Sequence, residues 1–202
     1  MREPMSNAAD FPLAGRCALV TGGGAGIGKA ICDAFISKGV SVCTIDLLDN
    51  PFFVGDIADE QTLRAFASKV IAEHGMIDFL INNACLSRGG LKSCSYENFN
   101  YVLRVGISAP FLLTQLFMDH FNEPASVVNI SSTRHLMSQA DTESYTAAKG
   151  GITAVESSWV NGPAQGSSPW VYVGIGLLVL GLGGIFLGLG IRRLSKAANR
   201  TR

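Results

Sequence analysis

Residues 16–28 read R-C-A-L-V-T-G-G-G-A-G-I-G: a short apolar run opens onto a cluster of glycines. An apolar run of this length, closed by glycine, predicts a buried strand entering a tight turn. Residues 27–38 then place Ile27, Ala30, Ile31, Ala34 and Phe35 on one helical face, and Gly39 stops the pattern. Strand, turn and helix start together make an anion site. Glycines let the backbone approach a diphosphate, and the first turn of the helix offers free amide donors and a positive dipole end. A glycine-rich turn alone is a weak signal, because any tight strand-to-helix connection uses glycine. Its weight comes from its surroundings.

Working outward, residues 40–45 (V-S-V-C-T-I) predict a second strand ending at Asp46, and residues 52–54 a brief third strand running into Gly55-Asp56. Residues 60–74 repeat the helical pattern through Leu63, Phe66, Ala67, Val70 and Ile71. Residues 77–81 predict a fourth strand ending in Asn82-Asn83, residues 99–121 a long amphipathic helix, and residues 126–130 a fifth strand. Another helix begins at Tyr145 and runs through Ala148, Ile152 and Val155. Strands alternating with helices predict an α/β fold, a Rossmann-type doubly wound parallel sheet. Asp46 stands roughly 20 residues past the glycine turn, where a carboxylate can accept from ribose hydroxyls and repel a 2′-phosphate. No Arg or Lys lies in the turn or directly after Asp46. The expected cofactor is NAD(H) rather than NADP(H). The competing reading of Asp46 is a solvated turn residue.

Here the residues match a family. The T-G-x-x-x-G-I-G form at 21–28 resembles the short-chain dehydrogenase/reductases, and three further motifs follow in that family's order. Gly55-Asp56-Ile57 resembles the segment whose Asp meets the adenine ring. Asn82-Asn83-Ala84-Cys85 resembles the family's N-N-A-G, with Cys where Gly is usual. Asn129-Ile130-Ser131-Ser132 followed by Tyr145-Thr146-Ala147-Ala148-Lys149 resembles its catalytic serine and Y-x-x-x-K. The resemblance covers about residues 15–156. It implies a cofactor site at Gly22, Gly26, Ile27, Gly28, Asp46, Asp56, Ile57, Asn83, Tyr145 and Lys149, and catalysis by Ser132, Tyr145 and Lys149 on a small alcohol or carbonyl substrate.

The residue types suit that chemistry. A free tyrosine titrates near pH 10, so Tyr145 needs help to exchange a proton with a carbinol or carbonyl oxygen near neutrality. Lys149, at i+4 on the same helix face, carries a charge that favours tyrosinate and an ammonium suited to ribose hydroxyls. Ser132 can hydrogen-bond the same substrate oxygen. Each residue also has an ordinary reading: a Tyr-Lys surface pair, a helix-capping Ser. Together, behind a matching turn, the catalytic reading is the better one. Val102, Leu103, Phe111, Leu112 and Leu116 on the long helix are core, or the face of a homo-oligomer of the family's kind. His74, His120 and His135 are scattered, and only His135, just after Ser132, is a candidate pocket residue.

Two departures from the family pattern stand out. Gly106 occupies the position of an Asn that holds a relay water, and glycine has no side chain to bind it or to lock a helix kink. Past Glu156 the β-α pattern gives way to a linker composition at 161–169. Residues 170–191 follow, 22 positions without a charge, a length that spans a bilayer core of roughly 30 Å. The sheet is therefore expected to be incomplete at its C-terminal side, with an open edge, and to be followed by a single apolar, transmembrane-like helix. Seven glycines make that stretch a poor helix in water but a tolerable one in lipid, with Gly184 and Gly188 as a packing face. The resulting division is a leader at 1–14, a dinucleotide-binding domain at 15–160, a linker at 161–169, a membrane helix at 170–191 and a basic tail at 192–202.

Charge and cysteine usage narrow the classes. All 16 acidic residues lie at or before Glu156, and five of the 16 basic ones lie after residue 191. An acidic body argues against nucleic acid as a partner. Five dispersed cysteines with no C-x-x-C pair and no His at ligand spacing read as reduced small hydrophobes, without a metal site. A cytoplasmic body on a C-terminal membrane anchor is expected, with a purely cytoplasmic chain as the alternative. The functional readings are three: an NAD-dependent oxidoreductase, a catalytically impaired nucleotide-binding remnant produced by splicing or truncation, and a membrane-anchored interaction protein.

Overall fold

The computed structural model describes residues 13–161, 171–181 and 184–193. Strand β1 (Cys17–Thr21) lies inside the sheet, buried along its whole length. It pairs in parallel with β2 (Ser41–Asp46) on one side and β4 (Ile77–Asn82) on the other. Beyond β2 lies the two-residue β3 (Phe53–Val54); beyond β4 lies β5 (Phe121–Ser132), also parallel. Helix α1 (Gly26–Ser37) covers one face, where Cys32, Ile31 and Phe35 pack on Val20, Ile81 and Ile130. Helix α2 (Glu60–His74) and the helical segment between Tyr96 and Leu116 close the other. On that face Phe66, Phe117, Leu19, Ile45, Ile77, Leu80 and Leu113 are fully buried. Two-sided burial explains why the strands read as continuous apolar runs rather than alternating ones.

Local chemistry sets the element ends. The Asp59 carboxylate accepts from the Thr62 backbone N–H at 2.8 Å and so caps α2, and Gly75, at φ 69°, ends it. The stretch expected as one helix over 99–121 is three pieces: α3 (Tyr96–Leu103), a π-helical turn (Arg104–Ser108) and α4 (Ala109–Leu116). The helix stops early because Phe117 is driven into the core and Phe121 is taken into the sheet opposite Ile77. Strand β5 is longer than its predicted 126–130 for the same reason. Val102 is core, whereas Phe111 is 49% exposed, so only part of the apolar stripe faces inward. The kink needs no asparagine. A Cβ on Gly106 would stand 2.7 Å from Ala148 Cβ, so glycine lets the turn press directly against α5 (Glu143–Asn161).

The C-terminal stretch corrects the expected architecture. No helix among the described residues is long and apolar enough to cross a membrane. Val171–Gly181 is instead strand β6, parallel to β5 from Ala125 to Ser132, and Gly184–Arg193 is β7, antiparallel to β6. The sheet has seven strands in the order β3-β2-β1-β4-β5-β6-β7, so the edge expected to lie open along β5 is paired. Two physical reasons favour strands. Glycine costs a helix about 1 kcal/mol per residue, and the unpaired backbone edge of β5 offers a ladder to any extended Val/Ile-rich segment. The expected membrane association and the membrane helix therefore have no support in the fold. The leader before residue 13, the linker at 162–169 and the tail after residue 193 lie outside the described residues.

At the N-terminal edge of the sheet, a carboxylate absent from the sequence reading holds three elements. Asp78, 3% exposed at the start of β4, accepts from the Arg16 guanidinium at 2.6 Å, the Cys17 N–H at 2.8 Å and Asn122 Nδ2 at 3.2 Å. Replacing Asp78 by Ala takes the acceptor from the Cys17 amide and removes the carboxylate that pairs with Arg16. The expected loss is about 3 kcal/mol of unfolding free energy in urea denaturation; an unchanged midpoint would remove the clamp from this description.

Candidate active site

The carboxyl ends of β1, β2, β4 and β5 open onto a cleft of about 490 Å³. Its floor is the glycine turn. Gly22, at φ 70°, turns the chain out of β1, and a Cβ on Gly28 would fall 1.9 Å from the Gly22 carbonyl oxygen and 2.5 Å from Asn83 Nδ2. Gly23 is fixed as tightly, its hypothetical Cβ 2.0 Å from Thr44 Oγ1. Helix α1 has no side-chain cap and no acid in its first turn, so its leading amides face the cleft without a protein anion.

Asp46, at the end of β2, meets this turn. Its Oδ2 accepts from the Gly24 N–H at 2.8 Å and its Oδ1 from the Leu48 N–H at 2.9 Å. Asn83 ties β4 to the same turn, donating from Nδ2 to the carbonyls of Thr21 (3.0 Å) and Gly22 (3.2 Å). Asp56 accepts from the Ala58 N–H at 2.8 Å and from the Tyr101 hydroxyl at 3.0 Å. Gly22, Ile27, Gly28, Asp46, Asp56, Ile57 and Asn83 all line the cleft. Gly26 is set apart from the lining residues; at φ 54° it starts α1.

The opposite wall carries Ser132, Tyr145 and Lys149. The two serines at the end of β5 face different ways. Ser131 is buried and hydrogen-bonds Thr153 Oγ1 at 2.8 Å, whereas Ser132 accepts from the Arg134 N–H at 3.2 Å and stands beside the Tyr145 side chain. Burial pushes the Tyr145 phenol above its ordinary 10.0, outweighing the Ser132 hydroxyl that pulls it down. Lys149 is 5% exposed; its Nζ donates to the Ile130 carbonyl and lies 5.7 Å from the centre of the Tyr145 ring. The lysine expected to favour tyrosinate donates to a backbone carbonyl. Cys85, beside it, is neutral, its thiol pushed up chiefly by burial. His135 hydrogen-bonds the Ser132 carbonyl and stands outside the lining residues.

Sequence reading missed a polar chain beneath this wall. Asn82 Nδ2 donates to Asn129 Oδ1 at 2.8 Å, and Asn129 Nδ2 to Glu156 Oε2 at 3.0 Å, all three residues buried. Asn129 and Asn82 are legible as polar residues closing apolar strands, but nothing in their spacing pairs them with Glu156. Tyr101, which holds Asp56, was equally hidden inside an amphipathic helix.

Comparison with known proteins bears on the family and the fold. A family model described as short chain dehydrogenase matches residues 16–165. An uncharacterized oxidoreductase of Thermotoga maritima is 32% identical over 165 residues, covering 72% of this chain and 64% of that protein. A D-threitol dehydrogenase of Mycolicibacterium smegmatis is 30% identical with the same coverage. Among solved structures, an apo SCOR enzyme from Clostridium thermocellum superposes with a TM-score of 0.68 at 40% identity, covering 74% of this chain and 68% of its own. The chain therefore spans a little under two thirds of the length of the curated relatives it matches, 64% for these two.

The buried Glu156 generates a stability prediction. Its carboxyl is pushed above its ordinary 4.5, chiefly by burial. The folded state then holds this proton more tightly than the unfolded one. Stability is greatest below the unfolded value and falls as pH rises through the folded value. Glu156→Gln keeps an acceptor for Asn129 and removes the titration. Its thermal midpoint is expected to exceed that of the parent at pH 8 and to converge with it near pH 4; parallel curves across that range would refute the assignment.

Proposed function

The chain belongs to the short chain dehydrogenase family, and on that premise we propose that it is an NAD(H)-dependent oxidoreductase acting on a secondary alcohol or ketone. The observation that carries this reading is a single cleft lined on one side by the glycine turn with Asp46 and on the other by Ser132, Tyr145 and Lys149.

The residues present fit a dinucleotide. Gly22 and Gly28 let the turn, the helix start and Asn83 pack closely enough to shape the site, and the uncapped start of α1 offers amide donors to a diphosphate. Asp46 offers its carboxylate to the adenosine ribose hydroxyls and opposes a 2′-phosphate, which favours NAD(H). Asp56 and Ile57 border the adenine side. The nicotinamide, when bound, supplies the hydride acceptor or donor. Tyr145 exchanges a proton with the substrate oxygen through its phenol, and Ser132 hydrogen-bonds the same oxygen, stabilising charge there. The Lys149 ammonium is the donor available to the ribose hydroxyls next to the reacting carbon. A second reading, nucleotide binding without turnover, is favoured by the raised Tyr145 phenol and by the Ile130 carbonyl that engages Lys149.

Titration with NADH separates binding from turnover. Fluorescence is expected to saturate with the parent chain and to fail with Gly28→Ala, whose methyl has no room; absence of saturable binding in the parent would end the nucleotide assignment. For catalysis, NADH production from NAD+ is followed with a panel of secondary alcohols that includes threitol. Tyr145→Phe should lower the rate by about 100-fold or more. Because the phenol must lose its proton, oxidation by the parent should accelerate as pH rises through the neutral and alkaline range. Equal rates in parent and variant would dismiss Tyr145 as the acid/base, and binding without any turnover would favour the second reading.

A further inference from the structure

Three ligand-type side chains far apart in sequence meet at the end of the sheet away from the cleft. Cys17 opens β1, Cys43 lies on the neighbouring β2 and His74 is the last residue of α2. The two sulfurs are 4.0 Å apart. Both sulfurs and an imidazole nitrogen of His74 lie within 4.8 Å of one another. None of the three borders the cleft. Cys43 stands opposite Leu19 in the β1–β2 register, two residues along from Cys17, so both thiols project onto the face that α2 covers.

The spacing has a chemical meaning. With zinc–sulfur bonds of about 2.3 Å, two cysteines on one tetrahedral ion have sulfurs about 3.8 Å apart, and sulfur and imidazole nitrogen about 3.6 Å apart. The observed pair matches the first figure within a small side-chain rotation, and the imidazole, within 4.8 Å of both sulfurs, needs a larger rotation of its ring to reach the second. We propose that Cys17, Cys43 and His74 form a binding site for a thiophilic divalent cation, zinc in the first place, that fastens the end of α2 to β1 and β2.

Charge balance suits so buried a place. Cys17 is 5% and Cys43 1% exposed. Binding breaks two S–H bonds, releases two protons to solvent and forms two metal–sulfur bonds. Two thiolates, a neutral imidazole and a divalent ion sum to zero, which avoids the cost of a buried net charge. His74, the most exposed of the three, marks the side from which an ion and a fourth, water ligand enter. Lys69, whose charge acts on Cys43, is already engaged: it donates to the Phe52 carbonyl at 2.9 Å, lies 4.6 Å over the Phe52 ring and pairs with Glu73 at 3.8 Å.

The test uses the full chain, reduced and freed of metal. One equivalent of Co²⁺ should produce the intense sulfur-to-cobalt absorption and strong visible bands of a tetrahedral thiolate site, and Zn²⁺ should bleach them. One equivalent of Zn²⁺ should also raise the thermal midpoint, and a chelator should reverse the shift. Cys43→Ala and His74→Ala should lose or weaken the cobalt bands, whereas Cys94→Ala should retain them. X-ray absorption at the zinc edge of the parent chain needs no variant: two sulfur neighbours at about 2.3 Å are expected. Zinc without sulfur neighbours, no cobalt–thiolate band in the folded protein, or a thiol count showing Cys17 and Cys43 already joined as a disulfide would each overturn the proposal. NADH titration of the same samples keeps this outcome separate from the fate of the nucleotide reading.

Discussion

The Gly22 carbonyl and the α-carbon of Gly28 approach so closely that a methyl group at Gly28 would overlap the oxygen at 1.9 Å. That contact fixes the first turn of α1 against the end of β1. Its orientation aims the free amides of the helix start into the cleft. Asn83 reinforces the contact from β4 by hydrogen-bonding the Thr21 and Gly22 carbonyls, and Asp46 joins it from β2 through the Gly24 amide. Three adjacent strands thus end on one turn. A side chain at Gly28 would push helix, Asn83 and turn apart together, because the interior has no free volume to absorb it.

The opposite wall of the cleft is built by burying polar groups. Asn82, Asn129 and Glu156 form one hydrogen-bonded chain under the ends of β4 and β5, and Asn82 Oδ1 has no hydrogen-bond partner among the described residues. Such burial costs free energy that an apolar core would not. It occurs directly below Ser132 and Lys149, where rigid placement of donors matters more than stability. The π-helical turn belongs to the same wall: with glycine at 106 it packs against Ala148, one residue before Lys149.

Composition misleads at the C-terminal side for a clear reason. Twenty-two uncharged residues satisfy the length criterion for a membrane helix, and hydropathy alone does not distinguish lipid from the inside of a sheet. The deciding factor is an edge. With β5 unpaired, its backbone donors and acceptors form a template, and an extended apolar segment answers it through the register from Ala125–Val171 to Ser132–Leu178.

The alternation of strands and helices, the glycine turn, the acid at the end of β2 and the residue types facing one cleft are legible along the chain. Those features are written in short-range periodicity and in motifs a few residues long, which is where steric rules for glycine, capping and amphipathic faces act. Only the tertiary structure decided which distant residues meet. Asp78 with Arg16 and Asn122, Glu156 with Asn129, Tyr101 with Asp56, and Cys17 with Cys43 and His74 lie on different elements. It also ended the long helix at Leu116 and turned the last apolar stretch into strands. Both outcomes rest on neighbours across the sheet. Backbone pairing and burial are settled between segments brought together by the fold, and local propensity holds no record of them.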